Sequence, residues 1–265
     1  MADTLPKKES SVCVKLEAAD LGLEGWDDKP LLKGVNLQVN TGEFWVAGGM
    51  HRSGKSTLLA SVAMLQKPLA GKIEVFGVDP WKVDEAKLMK QRLRVGLVFE
   101  AGARLLHKLS IAENVALPLC YHQDCRMEEA QERVAELLKF TGVETMARQL
   151  PGGLTRTYRQ RANLARALAM SPELLLLDNP LAGMDFSERA WWRETVTDLG
   201  RGHPIVGNRP MTIIVVTNHL TPWVAEDRHF ALLHENTWRQ IGGMAELHAS
   251  RETSLRDVLD EKLKD

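Results

Sequence analysis

Four consecutive leucines, Leu174 to Leu177, run straight into Asp178, and this short tract restricts the fold more than any other. An uninterrupted apolar run of that length suits a strand buried on both faces, the habit of parallel sheets packed between helices. Such a strand delivers its last residue, here a carboxylate, to its exposed C-terminal end. Upstream, Phe44-Trp-Val-Ala47 is another short apolar run that stops at Gly48-Gly49, and Ser56 to Met64 follows with helical character. Between them lie Gly49, Met50, His51, Arg52, Ser53, Gly54, Lys55, Ser56 and Thr57. Strand, glycine loop and helix are the context of a phosphate-binding loop, whose backbone N–H groups and helix N-terminus cradle phosphates. In that chemistry Lys55 reaches the β- and γ-phosphates, the Ser56 hydroxyl sits on Mg²⁺, and Asp178 holds the same ion. The expected ligand is ATP with Mg²⁺, bound by Gly49 to Thr57 and Asp178.

At 265 residues the chain suits one large domain with a possible subdomain. Its net charge of −1 argues against a nucleic-acid surface built on bulk basicity. No apolar run approaches the roughly 18 residues needed to span a bilayer, and Met1 to Ser11 is polar. The expectation is a cytosolic chain, without direct membrane insertion, whose membrane role comes through a partner. Three cysteines, Cys13, Cys120 and Cys125, make no disulfide framework. Cys120, His122 and Cys125 could be drawn as a metal site, but no second ligand pair stands at zinc spacing.

Val12 to Leu16, Gly34 to Val39 and Lys72 to Phe76 alternate apolar and polar residues as half-buried strands do. Val95 to Phe99 and Met211 to Val216 read as buried strands, and Phe230 to Leu233 as a weaker one. From Glu100 to about Arg166 the pattern is helical. Ser110-Ile-Ala-Glu113 fits a capping box, and Met127 to Phe140 carries Ala130, Val134, Leu137 and Leu138 at helical spacing. A polar helix is expected over Phe186 to Leu199. The organisation expected is one domain over 12–248, with a helical subdomain at about 100–166. A flexible terminus at 1–11 precedes it. A C-terminal amphipathic helix at 249–265 follows, with Leu255, Val258, Leu259 and Leu263 on one face.

In order along the chain, these motifs resemble the ATP-binding subunit of ABC transporters. Trp26 precedes Pro30 to Val35, where that family has an aromatic that stacks on adenine. Val95 to Glu100 stands where its loop ending in Gln is found. Arg159 to Leu168 resembles the helix after its signature sequence, and Ala182-Gly-Met-Asp185 the loop that crosses to a second subunit. Val215-Val-Thr-Asn218 resembles the strand carrying the switch histidine. The resemblance implies an α/β fold: a P-loop NTPase core of the ABC type with a parallel sheet, an antiparallel β subdomain and an inserted α-helical subdomain. It also implies a homo- or heterodimer of ATP-binding subunits held on the inner face of the membrane by an integral permease.

Departures from the family pattern fall on groups that act on water or on a partner's phosphate. Arg52 occupies the middle Gly of the loop. Glu100 replaces the Gln that touches Mg²⁺ and the attacking water, placing an anion near polyphosphate unless metal or protonation compensates. The signature has two candidate registers. Leu150-Pro-Gly-Gly-Leu154 looks like it but lies four residues too early. The ungapped register, preferred here, puts Leu154, Thr155, Arg156, Thr157 and Tyr158 at the signature, with Arg156 and Thr157 where the family has glycines. Asn179 stands at the carboxylate that positions or activates water, and cannot accept its proton. Asn218 stands at the switch His. His219, one residue on, would point to the opposite face of a strand and substitute only if the backbone shifted. Slow or undetectable hydrolysis is therefore expected.

The stretch Phe99 to Leu119 is further similar to the same region in ATPases of MCE-associated, Mla-like lipid transporters, as is the apolar tail helix to an extension that grips the neighbouring subunit there. Two other functions compete with transport. One is a regulatory module in which ATP closes a dimer without turnover. The other is a soluble ABC-type protein acting on nucleic acid, disfavoured by the balanced charge and the lack of a basic linker. Trp191-Trp192, Trp223 and Trp238 are read as packing aromatics.

Overall fold

In the computed structural model, the described residues are 11–22, 29–100, 105–250 and 253–259. They form nine strands joined in one sheet. Its centre is parallel: β3 (Phe44–Gly49) lies between β8 (His229–His234) and β7 (Thr212–Thr217). Beyond β7 come β6 (Leu174–Asp178) and the edge strand β5 (Val95–Val98). The other flank is antiparallel, with β1 (Val12–Leu21) pairing both β2 (Leu32–Asn40) and β4 (Ala70–Val75). The two parts meet through β9 (Thr237–Gly242), antiparallel to β8 and bridged to β2 at Lys33.

The leucine run of β6 behaves as its sequence demands. Leu175 and Leu177 enter one apolar core and Leu174 and Leu176 the other, all four fully buried. Alternation sends each pair to its own face, and at roughly 1.5–3 kcal/mol per buried leucine both faces are strongly held. One core lies under α3 (Ile111–Gln123), α4 (Met127–Phe140), α5 (Arg156–Leu168) and α6 (Phe186–Arg201); the other lies under α1 (Lys55–Val62) and the antiparallel strands.

α3 to α5 make up the helical subdomain. The capping box at its entry forms: Ser110 Oγ accepts from Glu113 N, and Glu113 Oε2 accepts from Ser110 N at 2.7 Å. Asn114 is fully buried and fastens the preceding turn, accepting from Leu106 N at 2.7 Å and donating to the carbonyls of Leu106, Leu109 and Ser110. Two further elements, α2 (Glu85–Arg92) and β9, have no clear apolar period; α2 buries no residue, and β9 is half exposed.

After α7 (Met244–Ala249), the C-terminal helix α8 covers Thr253–Leu259, and Leu263 lies outside the described residues. Its apolar face is occupied within the same chain. Leu255 and Val258 are buried, Leu220 N donates to Val258 O at 2.8 Å, and Thr221 Oγ1 donates to Leu259 O. Within the subunit, this part of the helix packs on the chain's own turn at Leu220 and Thr221. No helix among the described residues is long and apolar enough to cross a membrane.

Trp192 and Trp223 are fully buried, while Trp191 lies under the Arg161 guanidinium at 3.9 Å, an arginine that also pairs with Glu188 at 3.0 Å. Trp192→Ala is expected to lower stability by about 3–5 kcal/mol, because the vacated volume cannot fully collapse. Urea unfolding followed by circular dichroism measures it.

Candidate functional site

The phosphate loop leaves β3 at Gly49 and enters α1 at Lys55, and its glycines are dictated by space and dihedral angle. Gly54, the N-cap of α1, has φ 89°, and a Cβ there would lie 2.7 Å from the Leu32 side chain. A Cβ at Gly49 would meet the Leu233 carbonyl at 2.9 Å. Arg52 keeps the left-handed backbone, at φ 63°, that the family's glycine would adopt freely. The loop shape therefore survives the substitution at a steric cost of about 1–2 kcal/mol, and the Arg52 side chain stands exposed at the loop's rim with Met50 and His51.

Lys55 is only 8% exposed and folds back along the loop, donating to Gly49 O and Met50 O, each at 2.7 Å. The ammonium thus occupies the concavity where backbone N–H groups would meet phosphate. Burial drives its pKa down to about 8, with Asp178 and Glu100 pulling the other way. The Asp178 carboxyl is raised above the usual carboxylate value, chiefly by burial. The Ser56 hydroxyl bonded to it opposes that shift, and the nearby Glu100 adds to it.

A cavity of about 410 Å³ opens elsewhere, between β5 and the helical subdomain, but the motif residues converge on one of about 300 Å³. The latter is lined by His51 to Thr57, Glu100, Asp178 and Asn218. Its donors, the Ser56 hydroxyl and the Asp178 and Glu100 carboxylates, are hard oxygens of the kind Mg²⁺ takes from protein when phosphates supply the rest. Glu100 adds to the upward shift of the Asp178 carboxyl, a repulsion that a dication would relieve. Among the described residues, this cavity included, no group of three or more His, Cys, Asp or Glu side chains is placed for a metal, and Cys120 and Cys125 are free thiols.

Asn179 sits just past β6, buried, with a left-handed φ of 45° that asparagine tolerates better than most residues. Its N–H donates to Val216 O at 2.8 Å, and its Oδ1 accepts from Asn218 N at 3.4 Å. The opposite-face expectation for His219 needs correcting. β7 ends at Thr217, so strand alternation does not extend to Asn218 and His219. Thr217 Oγ1 instead accepts from His219 N at 3.1 Å and donates to His219 O at 3.0 Å, turning the chain. Asn218 lines the phosphate-loop cavity, with its Oδ1 buried and without a protein hydrogen bond. It also lines a smaller cavity of about 180 Å³ with His219, Asn179, Arg189 and Gly183.

At the signature positions, Thr155 is the N-cap of α5, accepting from Tyr158 N at 3.5 Å, and Arg156 is the first residue of the helix. Leu154 is buried, and the rival Leu150 to Leu154 segment contains a separate 3₁₀ turn, Pro151–Gly153, before α5. The helix N-terminus thus falls at Thr155 and Arg156, within Leu154 to Tyr158. Asp185 caps α6, accepting from Glu188 N at 2.9 Å and from the Ser187 hydroxyl at 2.8 Å. Those bonds, the first before the second, hold its carboxyl below the usual range. Trp26 lies outside the described residues.

A family model described as ABC transporter matches residues 32–182. The chain belongs to the ABC transporter family. It is 29% identical over 231 residues to a methionine import ATP-binding protein, MetN, of Lacticaseibacillus paracasei, covering 86% of this chain and 63% of that one. It is 38% identical over 154 residues to MetN 1 of Bacillus licheniformis, covering 58% of this chain and 46% of that one. The chain thus spans about half to two thirds of the length of these curated relatives. Among solved structures, the ABC fold is shared with the dimeric ATP-binding cassette MJ0796 in a post-hydrolysis state bound to ADP and Pi. The TM-score is 0.75 at 28% identity, covering 87% of this chain and 99% of that one. The named relatives are methionine import ATP-binding proteins, not the lipid-transporter ATPases expected from Phe99 to Leu119; of that stretch, 101–104 lie outside the described residues.

A depressed lysine pKa has a definite pH signature in this ABC site. Between about 8 and the usual lysine value of 10.5, the folded chain binds fewer protons at Lys55 than the unfolded chain, so stability rises with pH across that window. Phosphate bound to Lys55 raises the pKa again, so ATP binding at pH 9 is expected to take up protons. Titration calorimetry in two buffers of different ionisation enthalpy measures the uptake, and Lys55→Met should abolish it.

Proposed function

We propose that this chain is the energy-coupling subunit of a membrane transporter, one in which ATP binding performs the mechanical work and hydrolysis is slow. The observation that carries the reading is the division within the site. Lys55, Ser56 and Asp178 converge on one cavity, while the positions of the family's catalytic carboxylate and switch histidine carry the amides Asn179 and Asn218, neither of which accepts a proton.

In this proposal the loop backbone from His51 to Lys55 and the Lys55 ammonium bind the β- and γ-phosphates, the ammonium leaving the Gly49 and Met50 carbonyls to do so. Ser56, Asp178 and Glu100 would hold Mg²⁺, which supplies charge neutralisation and polarises the phosphoryl oxygens. The Asn179 amide can hold a water through a hydrogen bond but cannot take its proton, and the Asn218 amide can touch a phosphate oxygen without carrying charge. His219 belongs to the neighbouring cavity beside Asn179, and reaches a reacting water only if the turn at Thr217 opens.

The proposed partners are a permease and a second ATP-binding subunit, identical or not. That subunit would face Arg156, Thr157 and Asp185 and place the assembly at the cytoplasmic face of the membrane. Among transported molecules, the methionine import relatives favour an amino acid over a lipid; the chain itself would touch only the nucleotide and its protein partners.

A steady-state phosphate-release assay with Mg²⁺ is expected to show little or no turnover, while a fluorescent ATP analogue binds and is displaced by ATP. Restoring both groups with Asn179→Glu and Asn218→His should raise turnover by about 10²-fold or more. Robust turnover by the unmodified chain, lost on Lys55→Ala, would refute the proposal.

A further inference from the structure

Two of the positions that depart from the family pattern meet each other. Glu100 follows β5 on the core, Arg156 opens α5 in the helical subdomain, and Arg156 Nη2 lies 3.8 Å from Glu100 Oε1 as an ion pair. The same arginine leans over the turn after β6, where its Nη1 lies 3.2 Å from the position a Cβ would take on Gly183. Glu100 also lines the phosphate-loop cavity, so its charge acts on Asp178 and Lys55. Among the described residues the cavity carries two carboxylates, and the second, Glu100, has a cation from the helical subdomain beside it.

Taken singly, each substitution is awkward. A lone Glu100 adds a negative charge where polyphosphate must enter, and a lone Arg156 sets a cation at the first turn of α5, against the positive end of the helix dipole. Together they cancel. Both side chains are about two-fifths exposed, 39% for Arg156 and 41% for Glu100. An ion pair so placed is weak and easily exchanged, whereas a hard dication holds carboxylates at short range.

We propose that Arg156 is a positioning residue for Glu100: in the nucleotide-free subunit it holds the second carboxylate of the cation pocket in cis, and a divalent cation entering the pocket competes for that carboxylate and releases Arg156. The inference rests on the cavity being the nucleotide site. It joins cation binding to the contact between helical subdomain and core, because the pair spans the two. The guanidinium so freed is a planar fork suited to carboxylate or phosphate.

The test uses the full chain, with Mn²⁺ as a spin probe and a fluorescent ATP analogue as a second probe. The variants are Arg156→Ala, Glu100→Gln and the double substitution, with thermal melts to confirm that each folds. In nucleotide-free protein, Arg156→Ala is expected to tighten Mn²⁺ binding about three- to tenfold by removing the competitor, and to change it little in the Glu100→Gln background. Arg156→Lys should restore most of the original affinity. Metal-free binding of the analogue should weaken on Arg156→Ala, again only where Glu100 is present. Equal effects of Arg156→Ala in both backgrounds, or none in either, would overturn the proposal. Failure of the unmodified chain to bind the analogue, with the Mn²⁺ coupling intact, would instead remove the nucleotide reading and leave the Glu100–Arg156 pair standing.

Discussion

The burial of β6 on both faces is the constraint from which the site follows. Leu174 and Leu176 fill one core and Leu175 and Leu177 the other, so the strand can neither slip by one residue nor leave the sheet without exposing a pair. Parallel pairing with β7 sets Asp178 opposite Val216, and pairing of β7 with β3 sets Thr217 opposite Gly48, one residue before the phosphate loop begins. Asp178, Lys55 and the turn after Thr217 are thereby brought together by backbone register. Phosphate chemistry needs charged groups held in place before the ligand arrives, and strands fixed on both sides supply that rigidity.

Rigidity carries an electrostatic cost within the same few residues. Burial lowers the pKa of Lys55 and raises that of Asp178, so each charged form is disfavoured by the enclosure that positions it. Loop carbonyls, the Ser56 hydroxyl and mutual attraction offset part of this cost. Arg52 and Asn179 add backbone strain, both at positive φ. Strain of this kind persists where the surrounding structure over-determines it, as it does beside β3 and β6. A bound polyphosphate with its dication would answer several of these demands together, which is why the cavity reads as a nucleotide site before any ligand is placed in it.

Elements with a strong local signal were legible in the sequence. The apolar runs of β3, β6 and β7, the capping box at Ser110 and the amphipathic α4 all carry periods that depend on a few neighbours. Elements that lean on others were not. β9 has no apolar alternation because it is half exposed and held by β8, and α2 buries no residue. The site divides the same way. Gly49, Gly54, Lys55, Ser56 and Asp178 announce themselves by spacing. His219 was misplaced by assuming that β7 ran on, when the Thr217 hydroxyl folds the chain back one residue earlier.

By itself the sequence determined the family, the order of motifs and the residue types at the site, Asn179 and Asn218 included, because residue type and spacing fix which hydrogen-bond donors and charges exist. Only the tertiary structure decided which of those groups meet. It set Glu100 beside Arg156, placed His219 with Asn179 in a second cavity, and laid α8 on Leu220 and Thr221 of its own chain. Those pairings join segments far apart along the chain. Their geometry comes from how two cores pack against one sheet, and no local period carries that information.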